Sequence, residues 1–386
     1  MQSLDAFAQA KLDDLQRRHL RRALSETVRE DGIWVERAGK RLLSFSCNDY
    51  LNLTQHPATK QAAMAALAEY GAGSGASRLV TGNHPLYAQL EARVARIKQT
   101  EAAVVFGSGY LANAGIIPVL IGRDGLVLAD KLSHACLFAG AQLSRGKVLT
   151  FRHNDIAHAR ELLSANRAEH DHALIVTDGV FSMDGDLAPL GDLLALANEH
   201  DAWLMSDDAH GLGVVGGGRG SSFAGNTHIP VPLQMGTLSK SVGSYGGYLC
   251  ASTAVIDLIR NRARTLIYST GLPPACVAAA IAALDLIERD PGYAALPVRK
   301  AKAFTKRAGL PEAQSPIVPV IVGEEEATLA ASRLLADEGY LAAAIRPPSV
   351  LAGTSRLRLT FTAQHPDEDI FRLAELVRDK IMVHSA

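Results

Sequence analysis

Cysteine is scarce and scattered in this sequence. Cys47, Cys136, Cys250 and Cys276 are the four in 386 residues, and no two form a CxxC pair. That spacing argues against a zinc site and against a disulfide scaffold. Charge of one sign is missing too. Lys and Arg number 39 against 40 Asp and Glu, a net charge of −1, without the basic face that nucleic acid needs. The one basic cluster, Gln16 to Arg22, lies on a helical pattern and reads as a solvated face. No apolar run is long enough to cross a bilayer. The polar, amphipathic start lacks the apolar region of a signal peptide. Nucleic-acid and membrane partners are therefore not expected, and a reducing cytoplasm is.

What is present suits a soluble globular protein: 48% of residues are hydrophobic and 20% charged. The length allows one large α/β domain plus a smaller one. Residues 1–45 read as an N-terminal arm, a helix and then a hairpin-like stretch. Residues 46–285 read as a large domain and 286–386 as a small α+β domain. Within the large part, apolar runs at Ala103–Phe106, Leu126–Ala129, Ala173–Thr177, Trp203–Ser206, Leu233–Gly236 and Gly247–Ala251 alternate with helical patterns. Such alternation predicts a mostly parallel sheet sandwiched by helices. Ligands of such sheets bind outside the carboxyl ends of the strands.

The polar residues that matter fall at those ends. Gly107-Ser108-Gly109 follows one strand and opens a helix pattern at Tyr110, an arrangement suited to an anion. "DDAHG" (207–211) ends another. Strand alternation sends Asp207 and Asp208 to opposite faces, so only one can enter a site. His134 and Ser182 follow two further strands, and "TLSKS" (237–241) places Lys240 between hydroxyls, ahead of a glycine-rich run. Each of these alone also reads as plain structure: a tight turn, a capping carboxylate, a buried histidine, a polar loop. Two other motifs are set aside. "GLGVVG" (211–216) matches GxGxxG but runs into more glycine and not into a helix. "HDH" (170–172) lacks a third spaced ligand and reads as a surface loop. Taken together, an anion cup, a carboxylate, two histidines and a lysine suit pyridoxal 5'-phosphate. Its phosphate wants a helix N-terminus, its ring nitrogen a carboxylate and its aldehyde a lysine. On this reading Thr237 and Ser239 bond phosphate, and Lys240 bonds the aldehyde.

The sequence resembles the α-oxoamine synthases, fold-type I pyridoxal-phosphate enzymes, over nearly its whole length. The resemblance is carried by "SCNDYLNL", "GAGSGASRLVTGNHPLYAQLE", "GSGYLAN", "DGVFSMDGDLAPL", "DDAHGLGVVG", "GTLSKSVGSYGGY", "YSTGLPP" and "GTSRLRLT". The usual Asp-Glu of the family is Asp-Asp here, which keeps the first acid. The resemblance implies an aspartate aminotransferase-like large domain with a seven-stranded sheet, and a homodimer with shared active sites. It implies that Lys240 holds the cofactor and moves the substrate Cα proton. Asp207 would pair with the ring nitrogen, His210 would bond the ring's phenolic oxygen, His134 would stack on the ring and Ser182 would approach it. Gly109, Tyr110 and Thr237 would bind phosphate, with Ser269 and Thr270 from the neighbouring subunit. Arg356 would hold the substrate carboxylate, and Asn48 and Arg21 would line the acyl side. "GSGASRLVTG" (73–82) points to the branch that condenses L-alanine with pimeloyl-CoA or pimeloyl-acyl-carrier protein in biotin synthesis, giving 8-amino-7-oxononanoate, CO2 and the thiol. The alternative is a relative that uses glycine or serine with another acyl thioester.

Overall fold

The computed structural model describes residues 2–30, 32–225 and 227–382. The chain forms two units, one made of residues 48–299, the other of residues up to 47 together with those from 300 on.

Residues 48–299 build a seven-stranded sheet from β1 (Ala102–Phe106), β2 (Leu126–Asp130), β3 (Lys147–Phe151), β4 (Ala173–Asp178), β5 (Trp203–Asp207), β6 (Leu233–Thr237) and β7 (Gly247–Ala251), in the spatial order β1-β7-β6-β5-β4-β2-β3. β7 runs antiparallel to both neighbours, and every other pairing is parallel. The inner strands read as unbroken apolar runs because both faces are covered. Alternate residues of β4 show this. Leu174 and Val176 pack with Ile116, Ile117 and Leu137 of the helices Gly109–Leu120 and Ala135–Ser144. Ala173 and Ile175 pack with Leu163, Leu193 and Leu196 of the helices Ile156–Asn166 and Leu190–Glu199. β3 carries no such signal: it is an edge strand, exposed or half-buried over its first four residues, and its run of apolar residues is short.

The second unit joins the N-terminal residues to the C-terminal ones. Lys40–Ser44 pairs antiparallel with Trp34–Arg37, the expected hairpin, and parallel with Tyr340–Leu341. Thr360 N–H donates to the Phe45 carbonyl at 2.8 Å. Ile317–Gly323, Ser355–Thr360 and Ala343–Ile345 form a three-stranded antiparallel sheet. Phe45, Phe304, Phe361, Leu357 and Leu373 share one buried core. Residues 28–47 are thus part of this unit and not a separate arm, because their strand completes its sheet. The division falls at 299/300 and not at 285/286, inside the helix Pro291–Ala308, which the sequence reading leaves out. The last helix runs over Asp367–Leu376 and then widens to a π-turn at Val377–Ile381. Among the described residues no helix is long and apolar enough to cross a membrane.

Candidate active site

The parallel strands end on one edge of the large sheet, and the polar residues that follow them line one cavity of about 220 Å³. β1 delivers Ser108, Gly109 and Tyr110; β2 delivers His134, β4 Ser182, β5 Asp207 and His210, and β6 Thr237, Ser239 and Lys240.

Ser108 caps the helix Gly109–Leu120, its Oγ accepting the Leu111 N–H at 3.2 Å. The first-turn amides of Gly109 and Tyr110 have no partner within the helix. Thr237 Oγ1 lies 2.7 Å from Ser239 Oγ and donates to the Gly246 carbonyl at 2.8 Å. Two hydroxyls and a helix N-terminus with its positive dipole make an anion cup.

Asp207 is buried, and both carboxylate oxygens are engaged. Asn113 Nδ2 donates to Oδ2 at 2.7 Å and the Ala209 N–H to Oδ1 at 3.0 Å. Asp208 leaves the cavity for an ion pair with Lys98, so the two consecutive acids separate as strand alternation requires. Lys240 Nζ lies 2.7 Å from His210 Nε2, and His210 Nδ1 lies 2.7 Å from the hydroxyl of fully buried Tyr50. His134 accepts the Cys136 N–H at 3.2 Å on Nδ1, where the Cys136 thiol also sits at 2.8 Å. Burial lowers the His134 pKa, the Asp207 charge opposes that, and the Lys240 charge adds to it. The Cys136 thiol is pushed up to about 12 by burial and the Asp207 charge. Asp178, at the end of β4, is raised well above the usual carboxylate range by burial and by Asp207.

Other expected residues lie elsewhere. Ser269 and Thr270 line a separate cleft with Arg78 and Tyr87, and Thr270 bridges to Ser77. Asn48 Oδ1 is 3.3 Å from the Tyr50 hydroxyl, outside the cavity lining. Arg21 and Arg356 belong to the other unit. Arg21 is exposed after the helix Gln2–Arg17. Arg356 is buried, with Nε donating to the Thr354 carbonyl at 3.0 Å and Nη2 to its hydroxyl at 3.2 Å. The 211–216 glycines form turns, with no α-helix after them. His172 of "HDH" stacks on Trp203. Among the described residues no cluster could hold a metal ion. Tyr50, Asn113, Cys136 and Asp178 escaped the sequence reading. Only Asn113 left a signal, four residues after Gly109 and so on the same helix face.

The donor set fits pyridoxal phosphate: an anion cup, a buried carboxylate held open by two donors and a lysine amine beside a histidine share one cavity. The aminotransferase class I and II family model matches residues 40–377. The 8-amino-7-oxononanoate synthase of Methylocella silvestris is 68% identical over 345 residues, 89% of this chain and 98% of the relative. That of Beijerinckia indica is 62% identical over 377 residues, 98% of each. Among solved structures, a lysine-to-alanine variant of a serine palmitoyltransferase from S. paucimobilis with a bound PLP-myriocin aldimine superposes with a TM-score of 0.87 at 28% identity, covering 97% of this chain and 98% of that one. The chain belongs to the aminotransferase class I and II family of pyridoxal-phosphate enzymes and, within it, to the 8-amino-7-oxononanoate synthases.

Proposed function

We propose that the chain condenses L-alanine with a pimeloyl thioester, pimeloyl-CoA or pimeloyl-acyl-carrier protein, to 8-amino-7-oxononanoate. The observation that carries this is the meeting of Lys240, Asp207 and the Gly109 helix terminus in one cavity, in a chain more than 60% identical to synthases of that name. The serine-using alternative is the weaker, since the serine palmitoyltransferase is 28% identical.

Pyridoxal phosphate, when bound, supplies an aldehyde that joins the amino acid and a ring that withdraws electrons from its Cα. Gly109, Tyr110, Thr237 and Ser239 hold its phosphate, and Lys240 its aldehyde. Asp207 keeps the ring nitrogen protonated, His210 meets the ring oxygen, His134 covers one face and Ser182 approaches the ring. Lys240 Nζ takes the alanine Cα proton and later returns one. His210, 2.7 Å away, keeps that amine in place. Arg356 clamps the alanine carboxylate and so fixes which Cα bond stands perpendicular to the ring. Asn48 and Arg21 line the acyl side. Overall, Cα bonds to the thioester carbonyl, the thiol leaves with a proton, and the carboxylate departs as CO2.

We assign Ser269 and Thr270 to the phosphate site of a second copy, in a homodimer with shared sites. Leu79, Val80 and Tyr268 are exposed on the segments that carry Ser77 and Thr270, an apolar surface that a second copy would cover. A cytoplasmic location goes with this reading, supported by four free cysteines. Incubation with pyridoxal phosphate, a pimeloyl thioester and alanine, glycine or serine in turn, followed by weighing the product, tests the assignment. Product from glycine or serine and none from alanine overturns it.

A further inference from the structure

We propose that Asn113 is a positioning residue for the cofactor: it orients the Asp207 carboxylate toward the ring nitrogen, and its helix sets that carboxylate's distance from the phosphate cup. The proposal rests on the cavity's reading as a pyridoxal-phosphate site.

The helix Gly109–Leu120 begins at the anion cup and carries Asn113 four residues later. Four residues are close to one turn, so Gly109 and Asn113 lie on one face, about 6 Å apart along the axis. Asn113 is completely buried, and its Nδ2 is 2.7 Å from Asp207 Oδ2 and 3.0 Å from Cys136 Sγ. Its Oδ1 meets no donor among the described residues. A buried carbonyl without a donor is disfavoured. Turning the amide over would be worse still, since it would aim that carbonyl at a carboxylate. Asp207 therefore dictates which way Asn113 points, and Asn113 in turn fixes the carboxylate plane, with the Ala209 N–H on the other oxygen. Cys136 extends the contact to His134. With its thiol pushed up to about 12, it remains a donor to His134 Nδ1 at 2.8 Å. The residue assigned to the ring face and the one assigned to the ring nitrogen are thus held through one amide and one thiol.

The test replaces Asn113 with leucine, close in size and without a donor. Cofactor affinity is read by titrating the apo-protein with pyridoxal phosphate. Ring protonation is read from the 15N shift of a labelled cofactor. N113L is expected to melt near the wild type, to bind the cofactor about 10- to 100-fold more weakly, and to move the ring nitrogen toward its unprotonated shift. In a D207N background the same substitution is expected to add nothing. Wild-type affinity and shift in N113L overturn the proposal, as does an equal loss in both backgrounds, which marks a merely structural residue. Should N113L fail to fold, N113S is measured the same way, and a wild-type ring-nitrogen shift there overturns it. A wild type that takes up no pyridoxal phosphate overturns the reading of the cavity instead.

Discussion

Lys98 Nζ lies 2.7 Å from Asp208 Oδ2, and both side chains are shut away from water. Asp208 also accepts the Ser221 N–H at 3.0 and 3.2 Å, and Lys98 donates to the Arg219 carbonyl at 2.9 Å. The pair pins the glycine-rich turns over 211–220. Those turns leave it no spare room: a Cβ on Gly220 would come within 1.7 Å of Asp208 Oδ2. The second acid of "DDAHG", where the family usually has Glu, therefore serves the scaffold and not the cavity. Its shorter side chain suits a site so tightly walled by glycine.

Removing one partner strands a buried charge, which costs about 3–5 kcal/mol. Lys98→Met is expected to lose that much stability in urea titration. The double variant Lys98→Met with Asp208→Leu is expected to lose less, because no charge is left uncompensated. A single variant as stable as the wild type would show the pair to be energetically idle.

Lys240→Ala should keep the fold and lose the chemistry. On the proposed function the amine moves a proton, a role worth roughly 10²–10⁴-fold in rate, and is also the cofactor's covalent anchor. Borohydride treatment is expected to leave a pyridoxyl mass on the wild type and none on the variant, with similar melting temperatures. Turnover at the wild-type rate refutes the role.

Arg356→Ala should separate the two substrates. Loss of a charge-assisted carboxylate clamp is expected to raise the KM for alanine about 10- to 100-fold and to leave the KM for the pimeloyl thioester nearly unchanged. Equal effects on both would place the guanidinium elsewhere in the reaction.

What the sequence made legible follows from periodicity. The inner strands are apolar on both faces, so their runs stand out, and the chemical residues cluster just past their ends. β3 stayed hidden because an exposed edge strand needs no such run. The merger of the N-terminal residues with the C-terminal unit was invisible because Lys40–Ser44 meets Tyr340–Leu341 across nearly the whole chain, and local pattern carries no long-range pairing. Lys240, Asp207, His210 and His134 could be picked by type and spacing. Tyr50 meets His210, Cys136 meets Asn113 and Asp178 meets the His134 N–H only through folding.

His153 links two acids, with Nδ1 3.0 Å from Asp130 and Nε2 2.8 Å from Asp186. Burial alone would lower its pKa, but the hydrogen bonds and charges of both carboxylates outweigh that and raise it to about 10. The folded protein thus holds this proton more tightly than the unfolded chain, whose histidine titrates near about 6.5. The stabilisation is complete below that value and is lost as pH rises through about 10. Urea titrations of wild type and His153→Gln from pH 6 upward are expected to differ most at the acid end and to converge in alkali. A constant difference would mean that the ring is neutral throughout.

Gly247 opens β7 directly against the anion cup. A Cβ there would stand 2.6 Å from the Ser108 carbonyl carbon and oxygen and 2.7 Å from the Gly109 nitrogen. All three are backbone atoms, which cannot swing aside as a side-chain tip can. Gly247→Ala must therefore push the Gly107-Ser108-Gly109 turn away from the sheet and misaim the first-turn amides. Because Gly247 lies beside the amides and touches neither Lys240 nor Asp207 through any of its nearest Cβ contacts, the effect should fall on phosphate recognition. The expected result is weaker binding of pyridoxal phosphate, by about tenfold or more, with much less change for pyridoxal, which lacks the phosphate. Equal weakening of both ligands would mean that the whole cavity, and not the cup, had been displaced.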